Sequence, residues 1–308
     1  MTTNSIFQSR WWLDAVAPKT WNAVEICQDG RIVARLPYIV NLKMGLRYLT
    51  MPPLTQTLGP WLAPSKAKYA KQLAQQKDLM TSLIEQIPPY DYFCQNFHFS
   101  ITNWLPFYWH GFQQTTRYTY IIEDLNGSDN IWANFQENIR REIRKAQKKV
   151  KVYNDSDIEK FLALNHLTFK RQNKNLPYSR ELVKRLDAAC AEHQARRIFF
   201  AEDAQGRIHA AIYIVWDENS AYYLMGGSDP ELRNSGATSL LMWEAIQFAS
   251  TVTKKFDFEG SMIEPIERFF RGFGARQIPY FQVSRMSRRM KLLMGGRDIL
   301  RTFIKYAE

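Results

Sequence analysis

The strongest pattern of apolar and polar positions runs from Ala221 to Phe273. Residues 221–225 form a short apolar run of strand type, and 226–235 form a polar loop. After Gly236, the apolar residues Ala237, Leu240, Leu241, Ala245, Phe248 and Val252 recur at helical spacing. Residues 255–259 read as a second strand, and Arg271-Gly272-Phe273 closes the stretch. The order is strand, glycine turn, helix, strand. A helix that opens at a glycine presents unpaired N–H groups and the positive end of its dipole, which suits a phosphate.

The rest of the chain is read in the same way. Residues 11–13 predict an early helix. Strand-like runs at 24–26 and 31–36 flank Asp29-Gly30, a hairpin signal. Residues 66–86 predict a helix that stops before Pro88-Pro89, and 91–94 and 117–122 predict strands. One long helix is predicted over 129–149, with Ile131, Phe135, Ile139 and Ile143 on its apolar side. Further helices are expected at 156–173 and 179–194, and strands at 197–201 and 208–216.

The chain also repeats itself. Gly30-Arg31-Ile32-Val33-Ala34 matches Gly206-Arg207-Ile208-His209-Ala210, and Tyr48-Leu49 matches Tyr223-Leu224. Gln56 and Gly59 fall opposite Arg233 and Gly236, Asp91-Tyr92-Phe93 opposite Asp257-Phe258, and Gly111-Phe112 opposite Gly272-Phe273. Matches in one order predict a duplicated unit. They give a first lobe over 1–116, a second over 117–290, and a basic tail over 291–308.

The segment Arg233-Asn234-Ser235-Gly236-Ala237-Thr238 resembles the Gln/Arg-x-x-Gly-x-Gly/Ala turn of the GCN5-related N-acetyltransferases, the GNAT superfamily. Thr238 departs from that pattern. The first copy, Gln56-Thr57-Leu58-Gly59-Pro60-Trp61, reads as degenerate, because Pro60 has no N–H and Trp61 is bulky. Two such lobes in one chain resemble the Fem family of peptidyltransferases and the BioF2-like acetyltransferase domains. The resemblance implies an α/β (α+β) fold of two lobes, each a mixed, mostly antiparallel sheet flanked by helices. It implies coenzyme A or acyl-CoA as donor, with its pyrophosphate held at Arg233, Asn234, Ser235, Gly236 and Ala237. Fem enzymes take aminoacyl-tRNA instead, and they carry a coiled-coil arm for which this chain has no heptad run.

Composition narrows the partners. Lys and Arg total 41 against 30 Asp and Glu, a formal net charge of +11. That balance favours anionic partners: a phosphorylated or lipid-linked precursor, tRNA, or an acidic membrane face met through the basic tail. The three cysteines, Cys27, Cys94 and Cys190, are far apart, and neither a disulfide framework nor a metal site is expected. No apolar leader or long apolar window occurs, so the expected location is the cytoplasm, at most at the inner membrane face.

The candidate chemistry lies at the end of the second strand. Asp257 and Glu259 read as neighbours on one strand face, with Glu259 as the base for an attacking amine. Many GNAT enzymes place a tyrosine acid four residues before Gly-Phe. Here that position is Arg268, which leaves Tyr223 or Tyr280 as substitutes. Backbone N–H groups near Leu224 and Met225 would hold the oxyanion. Arg140, Arg144 and Lys145, in the basic half of the long helix, would grip substrate phosphates. The reading that follows is a GNAT-type N-acyltransferase acting on an amine of a cell-envelope precursor of sugar or peptidoglycan type. The alternatives are a Fem-type aminoacyl-tRNA-dependent transferase and a non-catalytic RNA- or membrane-binding protein.

Overall fold

In a computed structural model, which describes residues 3–293, Asp29 and Gly30 both take positive φ, 49° and 72°. That geometry is what a two-residue turn needs to match the twist of its flanking strands. Strand β1 (Trp21–Gln28) therefore folds straight back on β2 (Arg31–Lys43). A helix α1 (Arg10–Val16) precedes them, and β3 (Leu46–Thr50) follows antiparallel to β2. A short β4 (Trp61–Leu62) pairs with β2. The helix α2 (Tyr69–Glu85) then crosses over, and β5 (Tyr92–Asn96) runs parallel to β3 with Tyr48 opposite Tyr92. A short helix α3 (Leu105–Trp109) completes this part. Leu36, Leu49, Leu83, Phe93, Phe97 and Phe107 form its core.

The chain divides between Thr116 and Arg117, inside β6 (Gln113–Ile122). Arg117–Pro279 is the second unit. It holds α4 (Ser128–Asn134), α5 (Glu137–Gln147), β7 (Val150–Asn154), α6 (Ile158–Arg171), α7 (Arg180–Glu192), β8 (Arg196–Asp203), β9 (Ile208–Trp216) and β10 (Ser220–Ser228). After these come α8 (Ala237–Ala249), β11 (Lys255–Asp257), α9 (Glu264–Arg271) and the start of β12 (Arg276–Met286). The sheet order is β7-β8-β9-β10-β11-β6, antiparallel except for the parallel pair β10 and β11.

Each unit thus runs through an antiparallel hairpin, a third strand, a crossover helix and a parallel strand, the order that the repeated motifs predict. The matched turns agree in conformation: Gly30 and Gly206 have φ 72° and 76°, and Gly59 and Gly236 have φ 68° and 84°. Both units are mixed α/β. One boundary differs from the sequence expectation. Residues 280–290, read as part of the second lobe, lie with the first unit. The cause is strand pairing, since Gln282–Met286 of β12 hydrogen-bonds along Tyr92–Asn96 of β5. Most of the expected basic tail falls outside the described residues. Among the described residues, no helix is long and apolar enough to cross a membrane, and no cluster of His, Cys, Asp and Glu is placed to hold a metal.

The long helix expected at 129–149 is two helices. Phe135 takes φ −66° and ψ 140°, an extended conformation that ends α4. Its ring is buried among Trp132, Trp243 and Phe273, with ring centroids 5.2–5.6 Å away. Packing in the aromatic core overrides the local helical periodicity. The helix α8 also differs from its expected amphipathic form. It is buried on nearly every side, whereas Val252, assigned to its apolar face, lies beyond its end and is exposed. Phe135→Ala should lower the unfolding free energy by about 3–5 kcal/mol, read from urea denaturation. A loss below about 1 kcal/mol would show that the α4–α5 break does not depend on this ring.

Candidate active site

Two parallel strands that share a crossover helix part at their C-terminal ends, and here they part early. Pairing of β10 with β11 stops at Tyr222 opposite Asp257. On the other side of β10, the register with β9 slips between Tyr223 and Met225, so Leu224 is passed over. Such a bulge disrupts the ladder and turns a peptide out of it. Leu224 and Met225 are therefore placed at the mouth of the gap between β10 and β11, where the sequence reading put an oxyanion contact.

The facing wall is built by Asp257. Its carboxylate is buried, accepts a hydrogen bond from the Thr119 hydroxyl, and accepts the Glu259 N–H at 2.8 Å. That second bond curls the chain. Strand β11 ends at Asp257, and Glu259 and Gly260 take φ 61° and 62°. The expectation that Asp257 and Glu259 share one strand face is therefore corrected. Asp257 is a buried anchor, and Glu259 projects from a left-handed turn. Burial, and then the Asp257 charge, push Glu259 well above the usual carboxylate range. Burial raises Asp257 itself to about 6.

Tyr223 lies in the same gap. Its hydroxyl rests against Gly226, and its ring meets Phe270 edge-on at 6.0 Å. Burial first, then the neighbouring Tyr178 and Glu259, keep its phenol protonated far above neutrality. Tyr178 donates to Asn165 Oδ1 at 3.1 Å, and Asn165, buried, donates to the Gly226 carbonyl at 2.7 Å. Burial pushes Tyr178 up to about 12. The structure thus gathers Glu259, Tyr223, Tyr178 and Asn165. Sequence reasoning missed the last two, which sit on the connection between α6 and α7 and on α6; no spacing ties them to Tyr223. Tyr280, the other proposed substitute acid, belongs to the first unit. Arg268, at the missing tyrosine's position, is exposed.

The Gly236 turn is less open than its sequence implies. Residues Arg233–Ser235 form a single 3-10 turn, and Gly236 at φ 84° caps α8. Arg233 and Asn234 are exposed, while Ser235, Gly236 and Ala237 are buried. The Ala237 N–H donates to Ser235 Oγ at 3.3 Å. On the side where a Cβ would stand at Gly236 lies the backbone carbonyl of Glu142 from α5, and the Glu142 carboxylate follows at 3.2 Å. Glycine is required here for the approach of a helix, whatever ligand binds. On its other flank, Asn234 and Ser235 line a cavity of about 370 Å³ with Lys149, Glu231 and the Asp203 carboxylate, which pairs with Arg207 and His209. The matching turn of the first unit is spent. Leu58 N–H bonds Asn96 O at 2.7 Å, Gly59 N–H bonds Gln95 Oε1 at 3.1 Å, and α2 begins ten residues later at Tyr69.

The three predicted phosphate-gripping residues are all engaged on their own helix. Arg140 and Arg144 converge on Glu137 at 2.9 and 3.1 Å, and Lys145 pairs with Glu142 at 2.6 Å. These are partly exposed pairs of small net energy that a phosphate can displace. Lys145 alone of the three is tied, through Glu142, to the Gly236 turn.

A bulged strand, a parted parallel neighbour, a left-handed glycine turn and a crossover helix together define a GNAT fold. Residues 133–261 match the family described as acetyltransferase (GNAT) domain. The fold of the chain is Fem-like. The structure of FemX superposes with a TM-score of 0.68 at 12% identity, covering 91% of this chain and 96% of FemX. L-PGS from Bacillus licheniformis gives 0.56 at 12% identity, covering 92% and 89%. A tandem GNAT protein from the clavulanic acid biosynthesis pathway gives 0.52 at 11% identity, covering 89% and 86%. Comparison of the sequence with curated proteins gives no match.

The buried Asp257 makes stability depend on pH. Its folded pKa of about 6 lies above the ordinary carboxyl value, so the fold favours the protonated form. The stability this supplies is complete below about pH 4 and is lost as pH rises through about 6, in all about 3 kcal/mol. Urea denaturation of wild type and Asp257→Asn across that range should show the wild type losing stability relative to the variant. Parallel curves would mean that Asp257 is ionised throughout.

Proposed function

We propose that this GNAT-fold acyltransferase takes an aminoacyl ester of tRNA, rather than acyl-CoA, as its donor. The observation that carries the reading is the cover on the Gly236 turn. The Glu142 carbonyl and carboxylate crowd the Cβ side of Gly236, and the Ala237 N–H is already bonded to Ser235. A carboxylate beside the turn, even paired with Lys145, makes it a less favourable cradle for a pyrophosphate than an open glycine turn would be. The reacting gap between β10 and β11 keeps its acid–base groups. In the cavity beside Asn234, Lys149 offers a cation to a backbone phosphate of an RNA 3′ end, while Arg207 is paired with Asp203 and Glu231 adds a second carboxylate to the lining.

In this reading an acceptor amine attacks the ester carbonyl in the gap. A C–N bond forms and the C–O bond to the ribose breaks. The peptide turned out at Leu224 faces the developing oxyanion. The amine proton passes to the Glu259 carboxylate, whose high proton affinity suits it as base. The departing ribose oxygen takes a proton from Tyr223, which is restored from Glu259. Tyr178 and Asn165 hold Tyr223's surroundings in place as positioning residues. The Fem resemblance points to an amine on a peptidoglycan precursor as acceptor.

Calorimetry with acetyl-CoA should show no binding at millimolar ligand, while radiolabelled aminoacyl-tRNA should transfer its amino acid to an added amine acceptor. Glu259→Gln should lower the transfer rate by about 10²–10⁴-fold with the protein still folded. Micromolar acetyl-CoA binding, or full activity in Glu259→Gln, would overturn the reading.

A further inference from the structure

The hairpin between β2 and β3 turns at Met44-Gly45, with φ 53° and 72°. This is the same backbone as at Asp29-Gly30. The first position of such a turn is left-handed, and it favours Asn, Asp or Gly because their side chains tolerate it. Asp29 follows that rule. Met44 breaks it, at some conformational cost, and its side chain is 91% exposed. Leu42, two residues earlier, is 74% exposed. Folding gains nothing from two large apolar side chains in water at a turn that prefers asparagine. Their value lies outside the folded chain.

The surroundings identify what they meet. Lys43 and Arg47 flank the tip and are exposed. The helical residues 288–293 stand beside it: Ser287 N–H bonds the Asp91 carbonyl, the Asp91 carboxylate takes the Arg47 N–H, and Arg289 reaches to 4.0 Å from Gly45's open side. Met290 anchors this segment in the core, while Arg288, Arg289, Lys291, Leu292 and Leu293 are exposed. One end of the first unit's sheet therefore displays four large aliphatic side chains interleaved with five cations. Asp91, the carboxylate at its base, accepts the Arg47 N–H and the Ser287 hydroxyl and pairs at 4.0 Å with Arg289, one of the five cations. Apolar side chains that can enter the acyl boundary, ringed by cations at headgroup level, match an anionic lipid surface.

We infer that the β2–β3 hairpin tip, with the segment 288–293, docks this protein on an anionic membrane surface. The tip inserts Leu42 and Met44, and the cations contact the headgroups. The inference is independent of the donor, because it rests on the first unit alone.

Vesicle co-sedimentation of the full chain tests it. The wild type should bind phosphatidylcholine vesicles that contain a third of phosphatidylglycerol, and bind pure phosphatidylcholine far more weakly. High salt should weaken the attachment, each lost cation accounting for about fivefold. The double variant Leu42→Thr, Met44→Asn suits the strand and the turn, so its thermal midpoint should match or exceed the wild type. Its affinity for the anionic vesicles should fall at least about tenfold. Three results would overturn the inference. One is no binding of wild type to either vesicle. Another is wild-type binding by the folded double variant, which would place the attachment elsewhere. The third is a wild-type dimer in light scattering that the variant abolishes, which would assign the tip to a second copy of the chain.

Discussion

The hydrogen bond from the Glu259 N–H to the Asp257 carboxylate sets the geometry of the gap between β10 and β11. Without it, β11 would continue as a strand beside β10, and Glu259 would point along the sheet face. With it, the chain enters two left-handed residues, closes against β6 and leads into α9. The bulge at Leu224 opens β10 from the other side. The gap is thus made by two departures from regular pairing, one on each strand. Each is stabilised by buried groups: Thr119 behind Asp257, and Asn165 behind Gly226. Burial, and then the neighbouring Asp257 charge, raise the proton affinity of Glu259.

The same unit shows how one structural device can be redirected. A glycine with positive φ at a helix start serves anion binding when its N–H groups face solvent. At Gly236 the freedom of the glycine is used to admit a neighbouring helix, and a carboxylate comes with it. At Gly59 the equivalent turn lost its N–H groups to β5. The two turns of the duplicated unit are thus closed in by different neighbours, Glu142 at Gly236 and β5 at Gly59.

Much of this was legible in the sequence, and for physical reasons. Asp29-Gly30 announces its hairpin because few residue pairs fit that turn. The ordered matches between the two halves announce a duplicated α/β unit because turns and strand ends resist change. The strand–turn–helix–strand order of Ala221–Phe273 was readable because it is local. What escaped was non-local. The break at Phe135 is imposed by Trp243 and Phe273, more than a hundred residues away. Tyr178 and Asn165 reach the gap from α6 and its following connection, and they carry no motif. The left-handed turn at Glu259 reverses the alternation that strand periodicity predicts. The cover on Gly236 comes from Glu142, whose own surroundings in the sequence read as a basic helix face. Arg140, Arg144 and Lys145 looked available as cations, yet each has an acidic neighbour three or seven residues away on the same helix.

The break after α4 has a mechanical consequence. Because Phe135 leaves the helical path, the Gln136 N–H is released to bond the Gly272 carbonyl at 2.8 Å, at the end of α9. Ile139, one turn into α5, packs on Gly272 as well. The same helix presents Glu142 to the Gly236 turn. Helix α5 therefore spans the gap, touching the α9 side through Ile139 and the α8 side through Glu142. A displacement that lifted Glu142 from the turn would act, through the same helix, on the Ile139 contact with Gly272.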